Sequence, residues 1–313
     1  MDIDFLLWLQ ELRLASGDIL SPFLMWASDV MVGLLPVCVV AFVYLCVSKR
    51  WGYFIMASVF VATSLNQGLK NTFCVYRPWI RCPEITPYAH SALKATGYSF
   101  PSGHATTAAS FFGSFACMLR HRTWTVWSCC LCALTVCVSR NYLGVHTPQD
   151  VVVGIIIGLA SVWAANCFAR KNVEGRYDTT VLAIGLVATV AFLLYSTLKP
   201  YPMDYAADGT LLVNPSKMVN DCFVTSGLLS GFVSGWYVEK HHIRMSQDKP
   251  WWKYLWRIML AVSLILIHTY LLVPVLKFML GNDWGSFAQC LIMVWIVTIV
   301  VPYISSTREG KGL

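Results

Sequence analysis

Charge is what this chain has least of. Only 12% of its 313 residues are Asp, Glu, Lys or Arg, against roughly 25% in soluble domains. With 57% hydrophobic residues, 14% aromatics and a mean hydropathy of +0.60, a chain solvated mainly by water is excluded. Acid is scarcer than base, 16 residues against 23, giving a formal charge of +7. The basic residues sit in short clusters between apolar runs, which is a membrane-topology pattern, so nucleic acid is excluded as a partner. No cluster of carboxylates could hold a hard metal ion. The start, Met1-Asp2-Ile3-Asp4, lacks a basic n-region, so no cleavable signal peptide is evident. Repeats, low-complexity segments and Asn-x-Ser/Thr glycosylation acceptors are also missing. Cysteine is not scarce, at 12 residues. Most of these, including Cys129, Cys130, Cys132 and Cys137, lie inside apolar runs, where they act as small hydrophobes. Cys74 and Cys82 flank Val75–Arg81, where two free thiols are favoured over a disulfide.

What is present is a series of apolar runs. A spanning helix needs about 20 mostly apolar residues. About nine runs qualify, near 31–48, 52–71, 103–119, 124–140, 149–169, 179–197, 218–238, 256–276 and 284–304. The expected fold is an all-α, polytopic membrane helix bundle of about nine transmembrane helices. Residues 1–30 precede it as an interfacial amphipathic segment, with Phe5, Leu6, Trp8, Leu9 and Leu12 at helical spacing and Asp18 and Asp29 too polar for a span. The charged stretch Lys171–Asp178 divides a core bundle, 31–175, from C-terminal helices, 178–313, in which no motif is recognisable. Alternate loops carry 14 and 9 of the 23 basic residues. Lys49, Arg50, Arg120, Arg122, Lys240, Lys249 and Lys311 belong to the richer set, which places it on the cytoplasmic side.

Three polar clusters stand at helix ends. Lys70 and Arg77 are seven residues apart, which predicts one face of the second span, with Pro78 stopping that helix. Pro101-Ser102-Gly103-His104 precedes the third span. There Ser102 is a good N-cap and Gly103 admits a ligand close to the backbone, at a helix start that favours an anion. Ser139-Arg140 and His146-Thr147-Pro148-Gln149-Asp150 form the third cluster. Thr147 is the expected N-cap, Pro148 the first helical residue and Asp150 the third, a capping box with Asp in place of Glu. Two crossings and a turn at Arg120–Thr123 separate His104 from His146, so both return to one membrane face. Lys70, Arg77 and Arg140 suit a phosphoryl group, whose transfer needs mainly positioning and charge stabilisation. A histidine held by a carboxylate can serve as nucleophile, and a second as general acid.

The pattern Lys-x6-Arg-Pro, Pro-Ser-Gly-His, Ser-Arg-x5-His-x3-Asp resembles the type 2 phosphatidic acid phosphatase superfamily at all eleven fixed positions. The resemblance covers about residues 31–169. It implies that His146 attacks phosphorus, Asp150 orients it, and His104 protonates the leaving group. It further implies that Lys70, Arg77, Ser102, Gly103 and Arg140 bind phosphate, with no metal or other cofactor. The implied activity is hydrolysis of a lipid phosphate or lipid pyrophosphate through a phosphohistidine on the non-cytoplasmic face. The substrate and the bilayer are the expected partners; no protein partner is indicated. The alternatives are a lipid-headgroup phosphotransferase and a sugar-phosphate phosphatase resembling glucose-6-phosphatase. A bacterial cytoplasmic membrane with the site facing outward is expected, with endoplasmic reticulum and a lumenal site as the alternative. Outside the motifs, His268 is expected to be neutral and hydrogen-bonded between helices, and His241 and His242 to face solvent or headgroups.

Overall fold

The computed structural model describes residues 2–247 and 250–308; Lys249, Lys311 and the end of the expected C-terminal segment lie outside them. No β-strand occurs among the described residues, only an isolated bridge between Tyr205 and Leu211. The helices are α1 (Asp2–Ala15), α2 (Leu20–Val32), α3 (Leu34–Phe42), α4 (Lys49–Phe73), α5 (Pro78–Arg81), α6 (Ala89–Lys94) and α7 (Gly103–Met118). They continue as α8 (Thr123–Tyr142), α9 (Pro148–Lys171), α10 (Asp178–Leu198), α11 (Pro215–Val238), α12 (Trp251–Ile267), α13 (Val273–Trp295) and α14 (Val301–Arg308). The chain forms two compact units. One comprises the chain up to Val37, Val61–Ala164 and Lys199–Met218; the other Cys38–Phe60, Ala165–Leu198 and Val219 onward.

Five helical stretches among the described residues are long and apolar enough to cross a membrane: Leu20–Val47, Thr123–Tyr142, Pro148–Lys171, Asp178–Leu198 and Trp251–Thr307. The expected nine are therefore not all recognisable as such. The helix α7 has only 16 residues. Polar side chains interrupt α4 (Asn66, Gln67, Lys70, Asn71) and α11 (Lys217, Asn220, Asp221). The first crossing-length stretch begins at Leu20, not near residue 31, and the N-terminal segment is two helices, parted by Gly17 and Asp18 at positive φ. A helix of 57 residues would be about 85 Å long, far more than one bilayer needs. At Gly281, φ 77°, the helical path of Trp251–Thr307 breaks, and a Cβ on Gly285 would lie 2.8 Å from the Lys277 Cα. Residues eight apart in a straight helix are about 12 Å apart, so the chain doubles back there, between the expected runs 256–276 and 284–304.

In the first unit, α1 shows two faces. Phe5, Trp8 and Leu12 are exposed on one. From the other, Gln10 brackets the loop before α6, with Nε2 donating to Glu84 O at 3.0 Å and Oε1 accepting from Thr86 N at 2.7 Å; Arg13 donates to Thr86 O. Close approach of α9 to α7 fixes the rest. A Cβ on Gly154 would lie 2.7 Å from Ser102 O, and one on Gly158 2.7 Å from Ala109 Cβ and 2.8 Å from Thr106 O. This small-residue stripe, four residues apart, is how membrane helices bring backbones together. It holds the start of α9 against the start of α7, where Ser102 N donates to Asp150 O at 2.9 Å.

The second unit has its own core, built around Tyr44, Leu45, Met56, Phe232, Trp236 and Val301. Two buried carboxylates are satisfied within it. Glu239 accepts from Lys49 Nζ at 2.7 Å, Tyr53 OH at 2.5 Å and Met245 N at 2.8 Å. Asp178 accepts from Asn172, Lys240 and His241, the last at 2.8 Å. His241 is therefore a hydrogen-bond partner of Asp178 rather than a solvated side chain, because a buried carboxylate needs donors; His242 is exposed as expected. His268 is buried, with the Gln289 backbone of α13 as its polar neighbour.

The glycine stripe makes a direct test. Gly158→Ala drives a methyl into the α7 backbone and costs about 1–3 kcal/mol by overpacking. Gly113→Ala meets only side-chain tips, the nearest being Leu159 at 3.2 Å. Thermal unfolding in detergent is expected to show a clearly lower midpoint for the first variant and a near wild-type one for the second.

Candidate active site

The site is built on the corner between α8 and α9. Gly144, at φ 70°, ends α8. Val145 N donates to Arg140 O at 3.1 Å and Gly144 N to Asn141 O at 2.9 Å, the two bonds of a Schellman motif. The next helix starts at once. Asp150 Oδ2 accepts from Thr147 N at 2.9 Å and Thr147 Oγ1 accepts from Asp150 N at 3.4 Å, so the capping box with Asp is formed. Only Leu143–Thr147 lie between a helix that carries Arg140 and one that carries Asp150, and His146 has little freedom between them.

Each ring nitrogen of His146 has its own partner. Arg77 NH1 lies 2.9 Å from Nε2 and Asp150 Oδ2 lies 3.3 Å from Nδ1. Guanidinium nitrogen only donates, so Nε2 carries the lone pair and Nδ1 the proton. Asp150 Oδ2 also accepts from Ser99 Oγ at 2.5 Å, and Asn141 Nδ2 donates to His146 O at 2.9 Å. Burial, and after it the Arg77 charge, pushes the His146 imidazole well below its ordinary value, so it is neutral at pH 7.

Two guanidiniums are buried here with 6% (Arg77) and 4% (Arg140) exposure. Arg77 donates to Gly97 O at 2.8 Å and Val145 O at 2.9 Å. Arg140 donates to Ser139 Oγ at 3.1 Å and to Ser28 Oγ. Among the described residues neither has a carboxylate within ion-pair distance. Burial lowers the Arg77 pKa to about 10, which leaves it charged at pH 7. Lys70 Nζ donates to Tyr98 O at 3.2 Å and is close enough to His146 to interact with it electrostatically.

The start of α7 completes the set. Ser102 Oγ caps it, accepting from Ala105 N at 3.5 Å. The space beside Gly103 is open: a Cβ there would meet only Asn66 Oδ1, at 3.8 Å. His104 lies within electrostatic reach of both Arg77 and Arg140. Its Nε2 is 3.3 Å from Asp29 Oδ1 on α2, and Lys94 Nζ is 2.5 Å from Asp29 Oδ2. Thus Lys70, Arg77, Ser102, Gly103, His104, Arg140, His146 and Asp150 converge in one unit. No group of three or more His, Cys, Asp or Glu among the described residues could hold a metal.

One expectation is corrected. Lys70 and Arg77 do not share a helix: α4 ends at Phe73, Cys74 takes φ 50°, and Arg77 is extended before Pro78, which begins α5. Cys74 at positive φ ends α4, and Arg77 is extended because a residue before proline is driven out of the helical region. Cys74 and Cys82 are both free thiols. Four participants lie outside the sequence expectation: Ser28, Asp29, Lys94 and Ser99. Asp29 does have a signal, as the sole carboxylate in an otherwise apolar run.

Buried cations without carboxylates predict anion binding. Orthovanadate or phosphate is expected to quench the tryptophan fluorescence of Trp79, which stacks 5.9 Å from the Arg77 guanidinium. Arg140→Gln is expected to weaken that binding about tenfold or more, since a charged hydrogen bond is worth about 1.5–3 kcal/mol. Equal binding by the variant would exclude Arg140 from the anion site.

A family model of the PAP2 superfamily matches residues 51–174, and one for the PAP2 superfamily phosphatase transmembrane extension matches residues 223–307. The C-terminal helices thus match a described family element, although no motif is recognisable in them. Phosphatidylglycerophosphatase B of Bacillus subtilis is 30% identical over 170 residues, 47% of this chain and 77% of that protein. Lipid A 1-phosphatase of Rhizobium johnstonii is 39% identical over 83 residues, 26% of this chain and 31% of that protein. Undecaprenyl-diphosphatase of Sulfolobus acidocaldarius is 30% identical over 111 residues, 36% of this chain and 52% of that protein. The matches to the two lipid A 1-phosphatases span only about a third of those proteins. No solved structure gives a significant match. With its three motifs gathered at one site in a chain of membrane-crossing helices, this protein belongs to the PAP2 superfamily.

Proposed function

We propose that the protein is an integral membrane phosphatase that hydrolyses a lipid phosphate or lipid pyrophosphate through a phosphohistidine, without a metal ion. The observation that carries this reading is the state of His146. Its Nε2 lone pair faces Arg77, and its Nδ1 proton is held by Asp150. When phosphate binds, Arg77 exchanges Nε2 for a phosphate oxygen, and Nε2 is left facing phosphorus as a nucleophile. Arg77, Arg140, Lys70, Ser102 and the N–H groups at the start of α7 stabilise the equatorial oxygens. His104 protonates the departing alcohol, then takes a proton from the water that hydrolyses the phosphohistidine.

An amphiphilic substrate fits the surroundings. The relatives are named for lipid A, phosphatidylglycerophosphate and undecaprenyl diphosphate. The apolar face of α1, carrying Phe5, Trp8 and Leu12, stands on the same unit as the site and suits the membrane interface. The loop charges favour a site on the non-cytoplasmic face, and a bacterial cytoplasmic membrane is the setting we propose.

The test is phosphate release in detergent with EDTA present, from a panel of lipid phosphates, lipid pyrophosphates and glucose 6-phosphate. Wild type is expected to release phosphate from the lipids, and His146→Ala to lose about 10³-fold or more, as removal of a nucleophile does. Activity abolished by EDTA, or retained by His146→Ala, would refute the mechanism. The pH profile adds a second check. Because His146 is pushed down, kcat/KM is expected to fall on the acid side only below about pH 6.5, the unperturbed imidazole value, after correction for the substrate's own ionisation.

A further inference from the structure

The reaction needs a second histidine that is protonated when the lipid alcohol leaves, and its setting works against that. Desolvation works first against a charged His104, and Arg140 and Arg77, both buried cations within electrostatic reach, add to it. A third positive charge there is disfavoured unless an anion faces it. Asp150 does not supply that anion: it is paired with His146, and Asp29 is the carboxylate that acts on His104. The carboxylate that faces His104 belongs to Asp29, from α2, outside the three motifs.

We infer that Asp29 is the positioning residue of His104, so that the site contains two histidine–carboxylate pairs rather than one. This rests on the proposed phosphohistidine reading. Asp29 Oδ1 lies 3.3 Å from His104 Nε2, and Asp29 Oδ2 is fixed by Lys94 Nζ at 2.5 Å. With its Nε2–H held by Asp29, the imidazolium has its Nδ1–H to give. In the first step His146 Nε2 bonds to phosphorus, the bond from phosphorus to the lipid oxygen breaks, and that oxygen takes the Nδ1 proton. His104 is then neutral. In the second step it takes a proton from water as the water oxygen bonds to phosphorus and releases His146. The Nε2 proton stays on His104, donated in a hydrogen bond to Asp29 throughout, and no proton is gained or lost by the pair over the cycle. The charged groups facing His104 are Asp29 on α2 together with Arg77 before α5 and Arg140 on α8, while Lys94 on α6 fixes Asp29 from its far side.

A positioning role for a general acid has a signature that a structural role lacks: it matters only when the leaving group needs a proton. The experiment compares kcat/KM for a long-chain alkyl phosphate with that for a nitrophenyl phosphate bearing the same chain. Asp29→Asn is expected to lose about 10²-fold on the alkyl substrate, the scale of general acid catalysis, and to stay within a few-fold of wild type on the nitrophenyl substrate. Asp29→Glu, which keeps the carboxylate, is expected to recover most of the alkyl activity. Retained orthovanadate inhibition of Asp29→Asn confirms that the variant is folded. Equal loss on both substrates, or no loss on either, would overturn the pairing. His104→Ala separates the two readings. If it discriminates between the substrates while Asp29→Asn does not, only the Asp29 inference fails. If His104→Ala does not discriminate either, the assignment of His104 as acid fails, and the pairing with it.

Discussion

Everything at the site depends on how abruptly one helix stops and the next begins. Five residues separate α8 from α9, and both ends of that corner are closed by hydrogen bonds to the backbone. The glycine at 144 takes a conformation that a side chain would oppose. The aspartate at 150 serves two purposes with one oxygen, capping α9 through Thr147 N and holding His146 Nδ1. A cap is worth about 1 kcal/mol to the helix, so the group that holds His146, the proposed nucleophile, also stabilises the fold. The corner depends in turn on the glycine stripe of α9, which seats the start of that helix against Ser102.

The buried guanidiniums invert the usual logic of a membrane protein. Buried charge is tolerated when it is paired, and Glu239 and Asp178 in the second unit follow that rule closely. Arg77 and Arg140 do not. Their hydrogen bonds go chiefly to carbonyls and hydroxyls, which solvate a cation without neutralising it. The same polar shell would accept an anion with no carboxylate to displace. A site that is under-neutralised in this way gives up some stability to hold positive potential where phosphate charge develops.

Much of this is legible in the sequence, and the limits of legibility have physical causes. Capping residues act on their immediate neighbours, so the roles of Ser102, Thr147, Pro148 and Asp150 at helix starts can be read from spacing alone. The convergence of His104 and His146 follows from helix length and bilayer thickness. Spacing misplaces Lys70 and Arg77 because it assumes a continuous helix, and Pro78 acts backward on the residues before it. The number of crossings is blurred at α4, α7 and α11. At α4 the polarity around Lys70 weakens the apolar signal, whereas α7 is too short, at 16 residues. Ser99 is set by a tertiary contact to Asp150, which no local pattern encodes. Asp29 lowers the apparent quality of the first span; the carboxylate that makes the run look less like a crossing is the one that reaches His104.

That placement bears on how the two histidines divide their work. A carboxylate holds His146 at Nδ1 and His104 at Nε2, so the nitrogen that faces no carboxylate differs between them. For His146 the partner is four residues along the same chain segment, an arrangement no movement of other helices can easily alter. For His104 the partner is 75 residues away on α2. The proposed nucleophile is thus fixed by local structure and the proposed acid by tertiary packing. On the proposed mechanism the acid's geometry depends on how α2 and α6 pack, whereas the attacking group is preorganised by its own chain segment.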